Sequence, residues 1–245
     1  MFGTTRLAKT VAGMIIGFTG LVAASGAASA AVLPVVDMGT APGTDGTLLQ
    51  RIDLGQGATG LTSINTIVLT DISGGSGGDE GVFSGYDLDA FILDRDGDFN
   101  TSGDQVTLSG LSLTFTGGTT RPTADPTKLP SAPADVGTYF GTDFNTNSIK
   151  PGTTTLGTFD AVNISHIQNS DGFLTLGDGG ELVISFADIL TAGGLYLFIG
   201  EVGGQGEAIQ VEVPGQVPLP GAVWLFLSAI AVLFGFSRRR SIASA

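Results

Sequence analysis

The sequence predicts an all-β fold, a single β-sandwich or jelly-roll domain between two terminal targeting segments. Three observations carry that reading. Apolar and polar residues alternate with period 2 in several short runs, the pattern of strands with one buried face. Turns rich in glycine, of which the chain has 39, separate those runs, and the body shows almost no helical periodicity. The apolar fraction of 42% is enough to build a core, so the Gly-, Thr- and Asp-rich composition does not read as disorder. None of the 245 residues is cysteine, which removes disulfides, thiolate zinc sites and thiol nucleophiles together.

Taken in order, residues 1–30 read as a signal peptide. Arg6 and Lys9 form a short positive region, and Val11 to Ala24 is apolar or small. Ala28-Ser29-Ala30 supplies the small residues that a signal peptidase requires, with cleavage after Ala30. The extracytoplasmic domain then covers 31–213. Its lead-in, Pro34 to Gly46, is polar and irregular. Ser63 to Thr70 reads as a strand because its β-branched residues suit a pleated surface. The glycines of Ser73 to Gly81 make a flexible loop, and Tyr86 to Leu93 is the next strand.

Leu111, Leu113 and Phe115 alternate with polar residues. Val106 and Leu108 sit in the opposite parity, so Ser109-Gly110 marks a bulge or turn. Thr119 to Ser148 carries four prolines and reads as a long surface excursion, after which Thr153 to Ile167 resumes strand character. Phe173 to Leu176 and Leu182 to Phe186 flank Gly177-Asp178-Gly179-Gly180, which predicts a hairpin. Asp188 to Ala192 reads as a short helical turn. Leu195 to Ile199 is continuously apolar, as in a strand buried on both faces. After a glycine-rich break at Val202 to Gly206, Ile209, Val211 and Val213 alternate in a last strand, and Pro214 to Gln216 is a linker.

Charge is distributed unevenly. Five of the ten basic residues lie at the two ends, and the stretch from Ala31 to Pro220 holds 5 basic against 23 acidic groups, a net of −18. Such a surface repels nucleic-acid phosphates and anionic headgroups, which argues against nucleic acid as a partner. It suits divalent cations.

The end of the chain, 214–245, is organised differently. Gly221 to Phe236 is 16 residues without a charge, a helix of about 24 Å against a ~30 Å hydrocarbon core. Trp224 suits the outer interface, and Arg238, Arg239 and Arg240 are expected to stay in the cytoplasm. Val217-Pro218-Leu219-Pro220, the apolar run and the basic tail, in that order and at that position, resemble the VPLPA-type PEP-CTERM sorting signal. Gly221 stands where that signal usually has alanine, and the resemblance covers only about the last 25 residues. It implies a substrate of an exosortase-like membrane protease in a Gram-negative bacterium, with the helix as a temporary anchor cut near Pro218–Gly221. It further implies a place at the cell surface or outside the cell, associated with exopolysaccharide and biofilm.

The densest local chemistry is acidic: Asp87 and Asp89, then Asp94, Asp96, Asp98 and Asn100, then Asp104. Carboxylates at i, i+2 and i+4 with a glycine between them can turn inward around one calcium ion, with Asn100 and backbone carbonyls completing the oxygen shell. The spacing departs from an EF-hand, since Gly97 is fourth from Asp94 and Gln105 is twelfth. The other reading is a solvated Asp/Gly turn. Asp178 with Glu181 is a candidate carboxylate pair for glycoside hydrolysis, although Asp178 also suits its turn. The sole histidine, His166, lies in an expected strand and reads as structural. Sugar stacking would rest on Tyr86, Tyr139, Tyr196 or phenylalanines, because Trp224 belongs to the anchor. Together these features predict an exported, non-enzymatic structural or adhesive protein. A carbohydrate-binding module and a secreted carboxylate-dependent hydrolase are the alternatives.

Overall fold

A computed structural model describes residues 30–44, 46–55, 63–99, 103–129, 137–151, 154–161, 172–203 and 206–214. Ala28, Asn100, His166, the sorting motif Val217–Pro220, the apolar run 221–236 and Arg238–Arg240 lie outside them. Among the described residues no helix is long and apolar enough to cross a membrane. These residues form one unit, within 28–217.

Among the described residues, ten strands build two five-stranded antiparallel sheets. The first contains β1 (Ala31–Leu33), β4 (Ser63–Asp71), β6 (Ser112–Thr116), β8 (Glu181–Thr191) and β10 (Ile209–Val213), in the order β1-β10-β4-β8-β6. The second contains β2 (Val35–Thr40), β3 (Thr47–Asp53), β5 (Asp87–Asp94), β7 (Leu174–Thr175) and β9 (Tyr196–Val202), in the order β2-β3-β9-β5-β7. Alternation works as expected in β10, where Val211 and Val213 are buried while their neighbours are not, and the structure shows the same pattern in β4 and β8 at Ile67, Leu69, Leu182 and Ile184. These side chains meet Ile52, Leu88, Leu93, Leu197 and Ile199 from the other sheet in one core. Each such side chain stabilises the sandwich by about 1.5–3 kcal/mol. The predicted β-sandwich class is therefore the observed one.

The expectation for Leu195–Ile199 also holds, with a physical cause. Leu197 and Ile199 fill the space between the sheets, whereas Phe198 packs on the outer face of the second sheet. Ala90, Phe159 and Phe198 form a second apolar layer there, with Phe99 edge-on to Phe159 at 5.1 Å between ring centres.

Four local expectations are corrected by the structure. Val35–Thr40, read as an irregular lead-in, is a strand because its backbone pairs with Leu48–Ile52. Pro34, lacking an N–H, stands where the chain passes from one sheet to the other. Asp188–Thr191 is no helical turn but the end of β8, where Leu190 and Thr191 pair with Ile64 and Ser63 beyond a bulge. The described part of the expected strand 153–167, residues 154–161, has no strand pairing and lies against the second sheet.

The fourth correction concerns the hairpin. The turn itself forms, with Gly180 N–H donating to the Gly177 carbonyl at 2.8 Å. The strands beside it do not pair with each other. Leu174 and Thr175 pair with Leu88 and Asp87 in one sheet, and β8 belongs to the other. Ser109-Gly110 is likewise a crossover: Val106 N–H donates to Leu93 O in the second sheet, and β6 lies in the first. The proline-rich excursion contributes Phe140, which stacks with Phe173 at 4.3 Å in a small separate core.

Candidate functional site

The seven-residue acidic set is divided by the fold. A bulge between Leu88 and Phe91 interrupts the register of β5 against β9. Asp89 is buried and fully engaged: Oδ2 accepts the Thr47 hydroxyl at 3.1 Å, and Oδ1 accepts Asp160 N–H at 3.2 Å and Ala161 N–H at 3.1 Å. It fastens the segment 154–161 to the sheet. Burial raises the Asp89 carboxyl from its ordinary value, and these hydrogen bonds oppose the rise. Asp87 accepts the Thr175 hydroxyl. Its carboxyl is raised well above the usual range, first by burial and then by the charge of Glu207.

Asp94, Asp96 and Asp98 stay together as a turn. Asp94 Oδ1 accepts Asp96 N–H at 2.9 Å, and Asp96 Oδ1 accepts Asp98 N–H at 2.8 Å. Such side-chain-to-backbone bonds are the usual reason for aspartate in turns. Gly97 O accepts the Arg51 guanidinium at 3.2 Å, which ties the turn to β3. Burial raises the Asp94 carboxyl, and hydrogen-bonding contact with the Asp96 carboxyl raises it further. Asp104 is exposed on the returning chain, next to Gln105, which bridges back to Asp94. Among the described residues no group of three or more His, Cys, Asp or Glu stands as a metal-ligand set.

A second acidic centre was not singled out from the sequence. It occupies one end of the sandwich, where β4 finishes and β10 begins. Asp71, buried at the end of β4, accepts Ser73 Oγ at 2.6 Å, Ser73 N–H at 3.3 Å, Tyr86 N–H at 2.9 Å and Gly179 N–H at 2.9 Å. Glu201 of β9 and Glu207, just before β10, are 1% and 7% exposed, with their carboxyl groups close enough to act on each other. Arg121 is the nearest cation. It donates through Nη1 to the Gly77 carbonyl and stands 3.2 Å from Asp178 Oδ2 through Nε. At the rim, Lys128 Nζ donates to Asp79 Oδ1 at 2.7 Å.

Burial pushes the Glu207 carboxyl up to about 10, the contact with Glu201 adds to this, and the charge of Arg121 opposes it. Deeper in, Tyr86 OH donates to Gln50 Oε1 at 2.8 Å and Gln50 Nε2 donates to Asp37 Oδ1 at 2.9 Å. One sequence signal for this centre exists. Glu201 shares its parity with Leu197 and Ile199, so a strand that buries those two aims a carboxylate inward. Nothing local marks Arg121 or Asp71 as its neighbours.

The remaining candidates are placed as follows. Asp178 faces Arg121, while Glu181 opens β8 beside the buried Leu182 and so projects from the outer face of the first sheet. Tyr86 has no exposed surface. The Tyr139 ring stacks edge-on against Phe115 at 5.4 Å, and Tyr196 carries the Arg51 guanidinium 5.6 Å from its ring centre. A groove of about 400 Å³ between 105–113, 149–157 and β5 is lined by Leu93, Val106, Leu108, Ile149 and Leu156 among others, without a charged side chain. No protein-family model matches the chain, no curated protein matches its sequence, and no solved structure matches its fold.

Proposed function

We propose that this is an exported structural or adhesive protein of the cell surface or extracellular matrix, delivered to the membrane and there handed to an exosortase-like protease. The observation that carries this reading is the C-terminal order of Val217-Pro218-Leu219-Pro220, an uncharged run and three arginines, paired with an export signal at the other end. The domain between them is consistent with a passive role, because buried carboxylates such as Asp71 and Asp89 are spent on fastening backbone segments. In cells carrying an exosortase, the full chain is expected to lose its C-terminal segment near residues 218–221 and to leave the membrane fraction. Alanine at Val217, Pro218, Leu219 and Pro220 is expected to keep it full-length and membrane-bound. Identical masses for both proteins, read by intact mass spectrometry, would refute the sorting role.

A calcium ion at the Asp94–Asp98 turn is a second reading, favoured by the contact between the Asp94 and Asp96 carboxyl groups. Two carboxyl groups in hydrogen-bonding contact need a shared proton or a cation between them. At a hundredfold excess over its dissociation constant, calcium would add about 2.7 kcal/mol. That corresponds to a melting point roughly 5–10 °C higher than in EDTA. Asp94→Asn is expected to abolish the shift. A melting point that does not respond to millimolar calcium would leave the turn as a hydrogen-bonded loop.

A further inference from the structure

We propose that Glu201 and Glu207 form a proton-held latch, which fastens the glycine-rich segment 73–81 and the segment 206–208 over the end of the sandwich and releases both when the shared proton is lost. This device is independent of the sorting role.

The geometry is that of a closed joint. Glu207 Oε1 is buried without a hydrogen-bond partner and lies over Gly78, where an added Cβ would stand only 1.4 Å from it. A Cβ on Gly77 would meet the backbone of Gly206 and Glu207 within 2.9 Å. The two segments are therefore in contact through backbone, with the carboxyl pair beneath them. Three hydrogen bonds depend on that closure: Ile72 N–H to Ala208 O at 2.9 Å, Ala208 N–H to Ser73 Oγ at 3.0 Å, and Gly81 N–H to Arg121 O at 3.0 Å.

Charges on every side bear on the pair. Asp71 on β4 and Asp87 on β5, with Tyr86 before it, act on Glu207, while Asp79 on the glycine-rich segment acts on Asp87 and Asp178 in the turn before β8 faces Arg121. Arg121 alone opposes them, with Lys128 already committed to Asp79. A second negative charge on the pair would meet Asp71 and Asp87, against one guanidinium, at a buried position. One proton removes that conflict by joining the carboxyl groups. A metal cation would have to share the space with the guanidinium, which reaches the Gly77 and Gly78 carbonyls.

The direction of the pH effect follows. A carboxyl whose folded value is raised, here from 4.5 to about 10, binds more proton in the folded chain than in the unfolded one. Its contribution is complete at low pH and is lost as pH rises through that window. Hydrogen exchange on the full chain, corrected for the intrinsic pH dependence of exchange, reads the latch at the Ile72, Gly81 and Ala208 amides. Between pH 6 and pH 10 their protection is expected to fall about tenfold or more, while amides of the central β4–β8 pair fall much less.

Glu207→Gln, which keeps a hydrogen-bonding side chain without the acid, is expected to flatten the dependence, and Glu201→Gln serves if the first variant does not fold. The proposal is overturned if both variants retain the wild-type fall, or if wild-type protection is unchanged by pH. It is equally overturned if the central amides lose as much as the three reporters. Recovery of protection at pH 10 by millimolar calcium or magnesium would also overturn it, because the joint would then be held by a cation.

Discussion

Asp71→Ala is expected to destabilise the domain by about 4 kcal/mol, because it leaves the buried Tyr86 N–H and three more accessible donors without their shared acceptor. Asp71 collects the N–H groups of Tyr86 and Gly179 together with the amide and hydroxyl of Ser73. Each carboxylate oxygen serves two of these donors, so no single water could replace the side chain. Asp71→Asn keeps one acceptor oxygen but turns a donor toward another donor, and about half the loss is expected. For a domain of this size the alanine variant should melt roughly 10 °C below the parent. Urea unfolding gives the free energy directly, and a loss under about 1 kcal/mol would mean that the end of the sandwich closes without Asp71.

Gly85→Ala is expected to cost a similar amount, about 4 kcal/mol, for a steric reason. Gly85 has φ +78°, a conformation that alanine resists. Its Cβ would also stand 2.4 Å from the Gly177 carbonyl carbon and 2.8 Å from Asp178 N, which are backbone atoms and cannot swing aside. The segment before β5 and the turn before β8 would have to separate, breaking the bond from Leu176 N–H to Tyr86 O. Gly179→Ala is the matched control. Its φ is +77°, but nothing lies within 4 Å of the added carbon, so only about 1 kcal/mol is expected. Equal losses for the two variants, measured by urea unfolding, would show that backbone conformation and not contact sets the cost.

Both residues illustrate what local sequence reading misses. Asp71 looks like a polar residue at a strand end, and Gly85 like one of many glycines. Their importance comes from partners 15, 108 and 92 positions away for Tyr86, Gly179 and Gly177 respectively. The Asp94–Asp98 turn is the opposite case. Its bonds join residues two apart, so composition and spacing alone indicate it.

The sequence by itself determined the β class, the buried face of β10, and the turn at Gly177–Gly180. Each follows from a period of two or from the dihedral needs of a few neighbouring residues. The tertiary structure decided which strands pair. Leu174–Thr175 joins β5 instead of its neighbour β8, and Asp188–Thr191 extends β8 because Ser63 and Ile64 lie alongside. It also decided which acids meet. Glu201 and Glu207 are only six residues apart, yet Asp71, Asp87 and Arg121 reach them from three other stretches of chain. Alternation is a property of one strand, whereas pairing and charge contact depend on which distant segments bury the most apolar surface together. That selection is made by the whole chain at once, and no window of the sequence contains it.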